Sequence, residues 1–220
     1  MACIAFTDDI KVKISKLQMG CIQCDLKIEP ASVELLAQIS MELSKIENTL
    51  KVEEINKIPT IQSSREGYKT LGKEPSRYRL SAEALLRRVV KGKGLYHINN
   101  AVDALNLVSA KTGFSIGGYD VDKIDGAISL GVGKVNEPYE AIGRGALNIE
   151  FLPLFRDQKG AFGSPTSDSV RTMVTPATQR FLMLFFNFGG HDSLEETLAD
   201  TVALFEKYVG AKNCHTWIEL

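Results

Sequence analysis

Residues 65–120, REGYKTLGKEPSRYRLSAEALLRRVVKGKGLYHINNAVDALNLVSAKTGFSIGGYD, decide the fold, because they join two helical patterns through polar turns. Pro75 and Ser76 break the first segment. Ser81 then caps the next through a hydroxyl that can accept from an orphan amide, with Glu74 and Glu83 near the positive helix end. From Ala82 to Val90 the apolar Leu85, Leu86, Val89 and Val90 recur at helical spacing and leave Arg87, Arg88 and Lys91 on other faces. Gly92 and Gly94 end that helix. Val102, Leu105, Leu107 and Val108 predict a second helix from about Ala101 to Lys111, stopped at Gly113. Its entry and polar face carry Asn99, Asn100, Asp103, Asn106 and Ser109, residue types with little intrinsic preference for a helix interior. Asp103 and Asn106 share a face by their spacing, which makes that face either a dock for neighbouring loops or the floor of a site. A buried amide such as Asn106 commonly anchors backbone groups.

On the N-terminal side, residues 2–6 read as a short strand, with Asp8 and Asp9 turning it. Ile22, Cys24, Leu26 and Ile28 alternate as in a half-buried strand. On a strand Cys21 and Cys24 point to opposite sides, so they do not form a dithiol or adjacent metal ligands. Cys21, Cys24, Cys214 and His215 have the atom types zinc takes, but core cysteines are the expected reading and no metal site is predicted. Pro30 opens a long helix through Glu47, with Val33, Leu36, Leu43 and Ile46 among its apolar stripe. Further short helical turns follow, broken by Pro59 near Ile58.

On the C-terminal side, short apolar runs alternate with Gly, Asp and Asn, as in strands joined by tight turns. Strands are expected at Ala127–Val132, Pro138–Ile142 and Asn148–Phe155. Asp120, Asp122 and Asp125 lack the glycine and glutamate spacing of a calcium helix-loop-helix site. Gly131, Gly133, Gly143 and Gly145 fit sheet turns better than a phosphate-binding fingerprint. Residues 163–180, GSPTSDSVRTMVTPATQR, concentrate hydroxyls around Asp168 and Arg171, which suits a polar pocket or an exposed turn. FLMLFFNF, residues 181–188, reads as a fully buried central strand. Asp192 or Ser193 caps a last helix whose buried stripe is Leu194, Leu198, Val202, Phe205 and Val209. The tail KNCHTWIEL is expected to be peripheral, pinned by Trp217.

The 220 residues suffice for one well-buried core, and a single domain spanning 1–220 is expected. A formal net charge of −1 gives no whole-chain field for nucleic acid, and DNA is not an expected partner. The charge is nevertheless uneven: between Arg65 and Lys93, nine basic residues face only Glu66, Glu74 and Glu83, a local electropositive surface. The four cysteines do not make a disulfide scaffold in a chain of this length. No signal-peptide pattern stands at the start and no apolar run approaches the roughly 20 residues that cross a bilayer. A cytoplasmic protein with no membrane partner and no cofactor is expected.

The SAEALLRRV and VDALNLVSAKTG helices, the GGYDVDKIDG turn and the SDSVRT loop resemble the central tRNA-binding and editing domain of the bacterial phenylalanyl-tRNA synthetase beta subunit, in free-standing form. The resemblance is strongest over residues 65–188. It implies an α+β fold, a compact three-layer sandwich with two β layers and packed helices. In the synthetase this domain hydrolyses tyrosine wrongly esterified to phenylalanine tRNA, because binding alone discriminates near-isosteres poorly. The resemblance therefore implies a tRNA-binding protein, an aminoacyl-tRNA deacylase that clears mischarged aminoacyl-tRNA in trans. The alternative is a non-catalytic RNA-binding or protein-interaction module. The synthetase domains often carry a histidine at the position matching Gly117, which here has no side chain.

Within that frame the catalytic candidates are Asp168, Thr172, Thr178 and His97; Thr172 or Thr178 corresponds to a pocket threonine, and no glutamate is carried over. The substrate pocket candidates are Asn106, Gly117, Asp120, Ser167, Ser169 and Arg171. Hydroxyls, a guanidinium and backbone amides there suit the placing of water and the stabilisation of an oxyanion. Arg65, Lys69, Arg77, Arg79, Arg87, Arg88, Lys91 and Lys93 are the candidates for RNA phosphates, with Tyr68, Tyr78 or Tyr96 stacking a terminal base. The competing reading pairs several arginines with Glu66, Glu74 and Glu83 and packs the tyrosines between helix and sheet.

Overall fold

In the computed structural model, which describes residues 4–220, the apolar run becomes strand β9 (Arg180–Asn187). It lies between β2 (Gln18–Asp25) and β3 (Ser115–Asp120), antiparallel to both. β10 (Lys212–Glu219) adds to the far side of β2, giving the order β10-β2-β9-β3. Phe181, Met183 and Phe185 of β9 face a helical layer, whereas Leu182, Leu184 and Phe186 face a second sheet. A strand covered on both faces has no polar side to show, hence the unbroken apolar sequence.

The second sheet contains β1 (Ile4–Phe6), β4 (Ile128–Val132), β7 (Pro153–Asp157) and β8 (Gly160–Gly163), in the order β1-β4-β7-β8. β1 runs parallel to β4 and the other neighbours are antiparallel. The outer layer comprises α2 (Val33–Thr49), α5 (Asn100–Thr112) and α6 (Ser193–Tyr208), with α4 (Ser81–Val89) beside α5 at the β3 edge. α1 (Asp8–Lys13) packs on β4, α3 (Pro59–Leu71) meets β9, and β5 (Glu140–Ala141) pairs with β6 (Gly145–Ala146). The layers are therefore sheet, sheet and helices, the three-layer α+β arrangement expected from the sequence.

Local physics explains where boundaries differ from the expectations. Asp8 and Asp9 do not form a turn; they open α1, where carboxylates suit the positive helix end. The break expected near Ile58 is present: a 3-10 turn over Val52–Lys57 ends there, and Pro59 takes the first position of α3, where its missing N–H costs nothing. Ser81 is not a cap: it is the first residue of α4, preceded by Leu80 with no side-chain cap. Asn99 caps α5, accepting from the Val102 amide at 2.9 Å, and Gly113 ends it at φ 73°.

Residues 117–120, expected to open the GGYDVDKIDG turn, belong instead to strand β3. The proposed strand over 138–142 shrinks to β5, and the one over 148–155 starts only at Pro153. β2 ends at Asp25 rather than Ile28. Cys21 and Cys24 nonetheless lie on its opposite faces, one in each core. The tail is not peripheral: β10 pairs with β2 along its length, placing Trp217 opposite Cys21.

Candidate functional site

α4, the loop after it, α5, β3 and the 164–174 loop surround a groove of about 690 Å³. Gly92 and Gly94, at φ 66° and 57°, let the chain reverse after α4. Arg88 braces that reversal, with Nε donating to Gly94 O at 3.1 Å and Nη2 to Lys93 O at 3.0 Å. Its guanidinium also lies 3.8 Å from the centre of the Tyr96 ring. The walls are apolar through Leu85, Val102, Leu105, Ile116 and Val174. Tyr96, Ile98, Ile142 and Met173 stand exposed at the mouth, joined by Arg79, Arg87, Lys91, Lys93 and Arg144. An apolar interior with a basic, aromatic mouth fits an anionic ligand with an apolar end.

The floor is Asp168. Tyr119 Oη donates to its Oδ1 at 2.6 Å and the Gly118 amide to its Oδ2 at 3.3 Å. Burial pushes the Asp168 carboxyl up from 3.8 to about 7, against hydrogen bonds from Tyr119 and the amides of Gly118 and Ser164. Three buried tyrosines from separate elements hold this loop from behind. Besides Tyr119, Tyr68 Oη pairs with Thr166 Oγ1 at 2.9 Å and Tyr139 Oη donates to Ser167 O at 2.7 Å. Ser164 Oγ closes the turn by donating to Ser167 O at 2.8 Å and accepting from the Ser167 amide. The loop is thus ordered by polar groups buried and satisfied together.

Of the residues singled out in the sequence, Asp168, Asn106, Ser167, Arg79, Arg87, Arg88, Lys91, Lys93 and Tyr96 come together in this groove. The others do not. Gly117 faces the second sheet, where an added Cβ would lie 1.9 Å from Tyr119 Oη. Asp120 is buried, accepting from Thr178 Oγ1 at 2.7 Å and from the Asp122 amide, so Asp120 and Thr178 serve each other. Ser169 accepts from the Arg171 amide, and Arg171 makes a two-pronged pair with Asp157 at 2.9 and 2.8 Å. Burial opposes the charge of Asp157, but hydrogen bonds from Arg171 and from two amides outweigh it and hold the carboxyl below its usual range. Thr172 is fully buried, its hydroxyl without a partner among the described residues. His97 is exposed outside the groove, 3.4 Å from Asp103, which also accepts from the Ile98 amide. The amide that anchors backbone is Asn100, bonded to Glu29 N and Lys27 O, rather than Asn106.

The basic set divides in the same way. Arg65, Arg87 and Arg79 gather on the buried Glu83 at 2.8, 2.9 and 3.7 Å. Arg65, Lys69 and Arg77 lie outside the groove lining. Tyr68 is buried and Tyr78 lies beneath Lys73, whose Nζ is 3.6 Å from the ring, which leaves Tyr96 as the exposed platform. Arg144, Gly118, Tyr119 and Tyr139 were not singled out as site residues. Only the abutting glycines 117 and 118 hinted at the close approach. Among the described residues no group of three or more His, Cys, Asp or Glu is placed to hold a metal ion. Among the described residues no helix is long and apolar enough to cross a membrane.

The sheet-sheet-helix fold is shared with a solved N-terminal fragment of the phenylalanyl-tRNA synthetase beta subunit from Pyrococcus horikoshii, at TM-score 0.51 and 14% identity. That similarity covers 100% of this chain and 54% of the fragment, so the chain spans about half the length of that fragment. The B3/4 domain model matches residues 63–210, and the chain belongs to the B3/4 domain family. No curated protein matches it.

Proposed function

We propose that the groove takes the 3′ end of an aminoacylated tRNA and that Asp168 promotes hydrolysis of the ester in trans. The observation that carries this reading is a carboxyl poised at about 7 on the floor of an apolar groove with a basic mouth. A group half ionised near neutrality accepts a proton in one step and returns it in the next. As carboxylate, Asp168 takes a proton from the attacking water while the water oxygen adds to the ester carbonyl. As acid, it protonates the ribose oxygen as the bond from carbonyl carbon to that oxygen breaks. Leu105, Ile116 and Val174 receive the aminoacyl side chain, Arg79, Arg87, Lys91, Lys93 and Arg144 meet phosphates, and Tyr96 stacks the terminal base. Family membership and the shared fold support a tRNA ligand, and such a reaction would place the protein in the cytoplasm.

One observation favours a second reading, a binding module without turnover: Gly117 offers no side chain, and Thr172 and Thr178 are buried outside the groove lining. Ester release from a panel of correctly and incorrectly charged tRNAs separates the two, beginning with tyrosylated phenylalanine tRNA and run beside binding at controlled ionic strength. Release that is lost in D168N while binding persists supports hydrolysis. Salt-dependent binding without release selects the binding module, and absence of both overturns the tRNA reading.

A further inference from the structure

Side chains of β3 alternate, so Ile116 and Gly118 face the groove and helices, whereas Gly117 and Tyr119 face the second sheet. The buried Tyr119 ring lies edge-on to Phe155 and Phe162, with centroids 6.2 and 5.1 Å away. Its hydroxyl occupies a slot in which a Cβ at Gly117 would be 1.9 Å away and one at Gly163 2.1 Å away. Real side-chain carbons do not approach so closely, so the phenol passes between β3 and β8 only because both positions are glycine. Past them it reaches Asp168 Oδ1 at 2.6 Å, while Oδ2 is held by an amide on the free edge of β3.

We propose that Tyr119 is a positioning residue: its phenol, threaded between Gly117 and Gly163, fixes the orientation of the Asp168 carboxylate on the groove floor and stabilises its ionised form. This deepens the hydrolytic reading and rests on it for the role of Asp168. Tyr119 is the one side chain among the described residues that donates to this carboxyl. Tyr139, a second titratable neighbour from behind, donates its hydroxyl hydrogen bond to Ser167 O instead. Across the groove stand Arg79, Arg87 and Arg88 on or just before α4, with Lys91, Lys93 and Tyr96 after it; Arg144 comes from the β5–β6 turn, and α5 contributes the neutral Asn106. Charge-assisted donation to a carboxylate is stronger than donation to a neutral acceptor, so loss of the phenol proton selectively weakens the ionised form.

The test follows the Asp168 carboxyl by ¹³C NMR through a pH titration of the full chain, its signal assigned by absence from D168N, beside the pH–rate profile of ester release. In Y119F the ring and its packing remain, and the titration midpoint is expected to rise by roughly one pH unit or more. The ascending limb of the rate profile should move upward with it. G163A, which crowds the hydroxyl out of its slot, is expected to move the midpoint the same way and serves if Y119F does not fold. An unmoved midpoint in either folded variant overturns the proposal. A raised midpoint with no ester release from any variant upholds the role of Tyr119 in holding the carboxylate and brings down the hydrolytic reading instead.

Discussion

The two walls of the groove each carry a carboxylate, and they satisfy it in opposite ways. On the α4 wall, Glu83 is 1% exposed and is met by the guanidiniums of Arg65, Arg79 and Arg87. On the facing loop, Asp168 is met by a phenol and backbone amides, with no cation bonded to it among the described residues, and is pushed up to about 7. Glu83 is tied into ion pairs, whereas Asp168, held by neutral donors, is left able to trade a proton. The first wall is built to hold its arginines in place at the mouth. The second leaves its acid to neutral donors at the groove, where the proposed hydrolysis would use it.

The sharpest way to break this contrast is to remove each acid. D168N is expected to lower ester release by roughly 10²–10⁴-fold with tRNA binding within a few-fold, measured by single-turnover kinetics and filter binding. E83A should instead act on the fold, leaving three partly exposed guanidiniums without their shared carboxylate at a cost of roughly 1–3 kcal/mol, read as a lower chemical-denaturation midpoint.

Linkage gives a second handle on the same contrast. The folded-state pKa of Asp168 is raised, so its contribution to stability is fully present below about 4 and is lost as pH rises through about 7. Relative to wild type, D168N should therefore gain stability between those pH values, by at most about 4 kcal/mol in urea melts. The smallest effects sharpen the map of the mouth. K91E should weaken tRNA binding and flatten its salt dependence by somewhat under one phosphate contact, whereas K69E, exposed on α3 outside the groove, should change neither.

Elements whose pattern is local were readable in the sequence. α5 carries its own cap at Asn99 and its own stop at Gly113, and β9 announces burial on both faces by lacking any polar interruption. β3 was hidden because Gly117 and Gly118 read as a turn, when each is small to admit another side chain: Tyr119 at the first, Leu105 and Phe181 at the second. β10 was hidden because an edge strand with one exposed face needs few apolar residues.

The site divided along the same line. Arg87, Arg88, Lys91 and Asp168 were identifiable as a basic cluster and an acid in a hydroxyl-rich loop. The pairs that remove Asp120, Thr178 and Arg171 from candidacy join residues 58 and 14 positions apart, where no spacing rule operates. Nor does composition reveal that Tyr119 reaches past its own strand.

The doubly covered β9 has a consequence for how the chain finds its fold. Apolar on both sides, it would bury as much oil-like surface if it slid by one residue along its neighbours, so alternation of polarity does not police its register. Shape does. Gly20 lies opposite Phe185, Gly117 opposite Leu184 and Gly118 opposite Met183, and the space above Gly20 is taken by Leu194 and Leu198 of α6. These small residues act as notches that accept one alignment of large ones. Enlarging Gly20 or Gly118 therefore does more than crowd a core: it blurs the difference between the correct pairing and its slipped competitors, and slow, heterogeneous refolding is the form in which that would be seen.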